Sequence, residues 1–218
     1  MNRIVLLANV KGGVGKTSLC ALFANYLTEK GFKVRVFDAD YQASLIRHRQ
    51  RETEADPETS VPWQVSMIDT ADREVLSEEM AKLKKLEDII LIDCPGTLNA
   101  TNLDILYKAA DMLVIPMSYD LDTVDATGLF IKVVRRVTDA ELIFIPNRIN
   151  VTEGKGEELK LREQTISILG NLGIVTPRIK QSVVIKRYST LYGLDKYQRA
   201  AVEYAFERII QELKNKEV

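Results

Sequence analysis

The chain has no run of apolar residues long enough to cross a bilayer, which takes about 20 in succession. Nor does it open on a basic stretch followed by an apolar one, so no secretory leader is expected. Cysteine is scarce. Cys20 and Cys94 stand far apart, without the close spacing of metal ligands, and a reduced, cytoplasmic protein is expected. The only histidine, His48, has no evident partner in the sequence and receives no role. A dominant charge is missing too: 30 Lys and Arg against 31 Asp and Glu leave a formal net charge of −1. A chain-wide attraction to nucleic acid or anionic lipid is therefore not indicated, although local basic clusters remain. No proline-, glycine- or serine-rich linker and no internal repeat divides the 218 residues, and one domain over 1–218 is expected.

What is present is an alternation of apolar runs with amphipathic stretches. The runs 4–8, 34–37, 89–92, 112–115 and 142–145 read as strands, the last two stopped by Pro116 and Pro146. A weaker strand is expected within 61–68, where Pro62 interrupts early, and a short one at 174–175 before Pro177. Helical spacing marks the stretch after residue 17, 43–51, 71–86 (Val75, Met80, Leu83, Leu86), Leu103 to Ala110, 121–137, 156–169 and 183–188. The last helix, 197–214, is expected to turn Ala201, Tyr204, Ala205, Ile209 and Leu213 inward. Continuous apolar strands alternating with helices predict an α/β fold, a mostly parallel twisted sheet with helices on both faces. In such sheets ligands bind at the carboxyl ends of the strands. That rule gathers the loops at 10–17, 38–42, 93–97 and 146–148 on one edge.

The first of these loops, Lys11-Gly12-Gly13-Val14-Gly15-Lys16-Thr17, joins a strand to a helix. In that context a glycine-rich string is a phosphate loop. Glycines let backbone N–H groups close on phosphate oxygens, and the helix start adds free N–H groups and the positive end of its dipole. Lys16 suits the β/γ-phosphates and the Thr17 hydroxyl suits Mg²⁺. The general pattern places a glycine where this chain has Val10, leaving the flexibility to Gly12 and Gly13. Asp38, Asp40 and Asp93 fall at strand ends; Asp93 suits holding a metal-bound water and Asp40 suits orienting an attacking water, while a turn or cap remains the plainer alternative for both.

The phosphate loop, Phe37-Asp38-Ala39-Asp40-Tyr41-Gln42 and Leu91-Ile92-Asp93-Cys94-Pro95-Gly96 together resemble the deviant Walker ATPases of the ParA/MinD type, in order and spacing. The resemblance implies a P-loop NTPase domain whose two copies sandwich ATP and Mg²⁺. It implies that Gly12, Gly13, Val14, Gly15, Lys16, Thr17 and Ser18 hold the nucleotide in cis, with Thr17, Asp40 and Asp93 serving the metal. Lys11 reaches the partner's phosphates, Lys11, Lys16 and Asp40 support hydrolysis, and Asn147, Arg148 and Pro177 form the adenine edge. Tyr41 and Gly96 stand where the family often has proline.

Within the family, the basic residues Arg178, Lys180, Lys186 and Arg187, with Arg199 nearby, resemble the DNA-contacting part of ParA-like partition proteins; an ordinary solvated face is the alternative. The cluster Arg47, Arg49 and Arg51 is expected to be solvated surface. The C-terminal stretch 207–218 carries Glu207, Glu212 and Glu217 and no terminal Trp or Phe, so it is expected to pack on its own domain rather than dock on a membrane. Two dispersed cysteines do not provide the iron–sulfur site of the reductase relatives. The short N-terminus resembles small ParA-like proteins of plasmids and mobile elements, which act with a separate centromere-binding or accessory protein that stimulates hydrolysis. The implied function is an ATP-driven dimerisation switch for DNA partition or conjugative transfer, nucleoid-associated through non-specific DNA binding. The alternative is a MinD-like positioning or membrane-associated regulatory ATPase that does not bind DNA.

Overall fold

The computed structural model describes residues 2–98, 100–150 and 156–215; Glu217 and the other terminal residues named above lie outside that range. The apolar runs become parallel strands β1 (Arg3–Leu7), β2 (Val34–Asp38), β4 (Ile89–Asp93), β5 (Met112–Met117) and β6 (Glu141–Pro146), with β3 (Gln64–Met67) and β7 (Ile174–Val175) at the edges. They form a seven-stranded sheet in the order β3-β2-β4-β1-β5-β6-β7, every pair parallel. Because side chains alternate across a strand, each central strand feeds two cores. Val5 and Leu7 join one cluster while Ile4 and Leu6 join the other.

The first core lies under α1 (Lys16–Glu29), α7 (Val183–Lys186) and α8 (Lys196–Asn215); α2 (Ser44–Ala55) adds Leu45 to it. The second lies under α3 (Arg73–Leu83), α4 (Leu103–Ala109) and α5 (Leu121–Val134), with Leu169 of α6 (Glu157–Gly170). α8 buries Val202, Ala205, Phe206, Ile209, Ile210 and Leu213, and Phe206 sits 4.9 Å from the ring of Phe23 on α1. The last helix therefore packs on its own sheet, as expected. Two inward assignments fail: Tyr204 is exposed on α8 and Val75 on α3. α3 instead uses Leu76, Met80 and Leu83, spaced four and three apart.

Both strand-stopping prolines turn out to lie inside their strands, Pro116 opposite Ile145 and Pro146 opposite Met117. Proline lacks only the N–H, and at each place no strand stands there to receive one. Val114 points its carbonyl at Ala8, just past the end of β1, so Pro116, two residues on, faces the gap that β1 has left. There its carbonyl accepts the side-chain amide of Asn9 at 2.9 Å. Pro146 likewise faces beyond the end of β7, where its carbonyl accepts from the Ile179 N–H.

Candidate functional site

At the end of β1 the chain bends through left-handed conformations, Gly13 at φ 74° and Gly15 at φ 99°. Gly15 has a second reason to be glycine: a Cβ there would stand 2.5 Å from Nδ2 of Asn147. That buried amide donates to the Val14 carbonyl at 2.8 Å, and Arg148, itself at φ 59°, donates to the Gly13 carbonyl at 2.6 Å. The end of β6 thus props the glycine loop from below. This is a structural job for Asn147 and Arg148 that the sequence did not disclose, since 133 residues separate Asn147 from Val14.

Lys16 opens α1 with its side chain largely buried, and its Nζ donates to the Lys11 carbonyl at 3.3 Å. Burial holds the Lys16 pKa below the usual lysine range, with Asp93 pulling the other way. The Thr17 hydroxyl donates to Oδ2 of Asp93 at 2.6 Å. Asp93, at the end of β4, is 1% exposed, and burial pushes its carboxyl up to about 7 despite the Thr17 hydrogen bond and the charge of Lys16. Its other oxygen, Oδ1, is buried and has no hydrogen-bond partner.

An orphaned carboxylate oxygen beside a hydroxyl, next to a loop of free amides, fits a hydrated Mg²⁺ that arrives with phosphates. The described residues contain no cluster of three or more His, Cys, Asp or Glu that would hold a metal without them. Asp93→Asn is accordingly expected to weaken Mg²⁺-dependent nucleotide binding roughly tenfold, as loss of an outer-sphere partner does. Calorimetric titration of ATP with and without Mg²⁺ would show it, and an unchanged Mg²⁺ dependence would remove Asp93 from the site.

Asp38 organises the next loop. Fully buried, it accepts the Asp40 N–H at 3.1 Å and the Leu45 N–H at 3.0 Å. Burial raises its pKa and those amide bonds lower it. Its effect is to fold 38–45 so that Asp40 lines a cavity of about 590 Å³ together with Gly12, Lys16, Thr17, Ser18 and Pro95. The loops after β1, β2 and β4 therefore meet at one edge, as the strand-end rule requires, and Arg148 after β6 reaches the same cavity. Pro177 lines neither this cavity nor its neighbour.

Lys11 points elsewhere. It lines the adjoining cavity of about 680 Å³ with Tyr119, Asp122 and Arg162, and its Nζ lies 3.5 Å from Asp122 at the start of α5. Tyr41 is 95% exposed beside Asp40.

The basic residues divide. All four of Arg178, Lys180, Lys186 and Arg187 are exposed; Lys186 lines the cavity of Lys16, whereas the other three line neither cavity. Arg199 is ion-paired with Glu29 at 2.5 Å. In the second cluster, Arg49 is not solvated: it is buried, lies over the Trp63 ring at 4.3 Å and donates to the carbonyls of Trp63 and Thr190. His48, left without a role, stacks on Tyr188 at 4.5 Å and sits 3.4 Å from Glu52.

Residues 5–190 match the model of the CobQ/CobB/MinD/ParA nucleotide binding domain. The chromosome-partitioning ATPase Soj of Treponema pallidum (strain Nichols) is 28% identical over 166 residues, 63% of this chain and 65% of that sequence. The chain thus spans just under two thirds of that relative. A Borrelia burgdorferi B31 protein attributed to plasmid partition and bound to AMPPNP superposes with a TM-score of 0.74 at 19% identity, over 97% of this chain and 99% of the other. The cell division protein MinD of Aquifex aeolicus gives a TM-score of 0.69 at 19% identity, over 96% and 97%. At these identities the two structures speak for the fold alone.

Proposed function

Because the chain belongs to the CobQ/CobB/MinD/ParA nucleotide-binding family, we propose that it is an ATP-binding and ATP-hydrolysing switch that dimerises around its nucleotides and acts in DNA partition or transfer. The observation that carries the nucleotide reading is the Thr17–Asp93 hydrogen bond under the glycine loop, with Asp93 Oδ1 left free for a metal-bound water. Mg²⁺ would supply charge neutralisation on the phosphates. Lys16 and the loop amides bind and orient the phosphates, Asp40 holds the attacking water, and Lys11 meets the γ-phosphate of a partner subunit. Calorimetry with ATP and Mg²⁺, followed by phosphate release over a range of protein concentrations, tests this. Specific activity that does not rise with concentration would separate hydrolysis from pairing.

The partition role is supported by the name of the Soj relative, and DNA is proposed as the surface on which the dimer works. Arg178, Lys180 and Arg187, all exposed, are the proposed phosphate contacts. Pairing would multiply a modest affinity per subunit. Changing all three to glutamate is expected to weaken binding to random duplex DNA at least tenfold with AMPPNP present, and to reduce the salt slope by about 3. No DNA binding in any nucleotide state would favour the MinD-like positioning role. Liposome pelleting tests its membrane-associated form; no described helix is long and apolar enough to cross a membrane. A small accessory protein that stimulates hydrolysis, and a cytoplasmic, nucleoid-associated location, complete the reading.

A further inference from the structure

Lys186 and Arg187 are adjacent in sequence and face different things. On a helix, residues three and four apart share a side. Ser182, Ile185 and Lys186 line the cavity that also contains Gly15, Lys16, Thr17 and Asp40. Val183, four residues before Arg187, is 62% exposed; Lys186 and Arg187 are both exposed, and of the two only Lys186 lines the cavity. The orientation is fixed from both sides. Ile185 is buried in the core shared with α1 and α8, so rolling the helix to take Lys186 off the cavity wall would bring Ile185 into water. From behind, Nε2 of Gln198 on α8 donates to the carbonyls of Val184 at 3.1 Å and Arg187 at 3.0 Å, pinning the backbone of the same turn. Among the described residues Lys186 has no ion-pair partner. It is an uncompensated cation held on the wall of a cavity whose floor is built to surround phosphates.

We propose that Lys186 is a nucleotide-binding residue, supplying a second cation, beside Lys16, to the phosphates of a bound nucleoside triphosphate, and is not part of a DNA-contacting face. The assignment rests on the reading of this cavity as the ATP site. It makes α7 a wall of that site and gives the two neighbouring basic residues separate tasks, Lys186 inward to the nucleotide and Arg187 outward.

The test is ATP titration of the whole chain by calorimetry, with Mg²⁺ and without DNA, on wild type, Lys186→Ala and Lys186→Arg. Lys186→Ala is expected to bind ATP about tenfold more weakly, the size of one charge-assisted contact, and with a shallower dependence on salt. Lys186→Arg is expected to recover most of the loss. Thermal melting shows that each variant is folded; should Lys186→Ala fail to fold, Lys186→Gln, which keeps most of the stem, carries the same measurement. ATP affinity within twofold of wild type in the neutral variant overturns the proposal, all the more if that variant binds DNA less well. A wild-type chain that binds no ATP would instead bring down the reading of the cavity, and this assignment with it.

Discussion

Replacing Lys11 by alanine is expected to lower ATP turnover a hundredfold or more while ATP binding survives. The groups proposed to hold the nucleotide in cis remain in that variant: Lys16 with its buried stem, Thr17 on Asp93, and the loop propped by Asn147 and Arg148. Lys11 lines a different cavity, and its one ion pair among the described residues is with Asp122, half-exposed on the lysine side and open on the other. Pairs of that kind are worth about 0–1 kcal/mol, so little holds Lys11 back from a partner subunit. A cation delivered in trans to a transferring phosphoryl group is worth 10³–10⁵ in rate where it has been measured, so a hundredfold is a conservative expectation. The readout is specific activity against protein concentration. Wild type should rise as dimers form and Lys11→Ala should stay flat; wild-type turnover in the variant would sink the trans role.

The separate role proposed for Lys11 comes from the family resemblance alone, whereas the place of Lys16, at a helix start after a strand and a glycine loop, was legible from local pattern. Asp93 was legible for the same reason, at the end of four apolar residues. What the sequence hid depends on partners distant along the chain. Asn147 supports a carbonyl 133 residues away, and Arg49 bonds to Thr190, 141 residues on. Between Arg47 and Arg51, Arg49 looked like one more solvated arginine, and periodicity could not single it out because its helix buries only Leu45 besides. The prolines in β5 and β6 read as stops in the sequence, because a single sequence does not show whether a neighbouring strand is there to want the missing N–H. Lys186 and Arg187 form one basic run in the sequence, and only the fold shows that Lys186 lines the cavity while Arg187 does not. Distinctions of this sort belong to the packed chain.

Arg49→Ala is expected to cost about 3–4 kcal/mol of stability, within the range for stripping one partner from a buried charged network. The guanidinium donates to three acceptors: the Thr190 hydroxyl at 2.9 Å, the Thr190 carbonyl at 2.6 Å and the Trp63 carbonyl at 2.9 Å. Its removal leaves the carbonyls without that donor and opens a void over the Trp63 ring. The damage would not stop there. Trp63 donates to Asn25, Asn25 donates to the carbonyls of Ser189 and Tyr192, and Glu52 accepts the Thr190 N–H. Arg49 is thus the centre of a polar cluster that fastens α2, which follows the Asp40 loop, to the segment that follows α7. Lysine should not rescue it, because one ammonium cannot reproduce a planar fork aimed at three oxygens. For a domain of this size the loss corresponds to a fall in melting temperature of roughly 6–16 °C, and urea titration would give the free energy directly. A cost below about 1 kcal/mol would mean that α2 is held by Leu45 and its apolar neighbours, and that the arginine's burial is incidental.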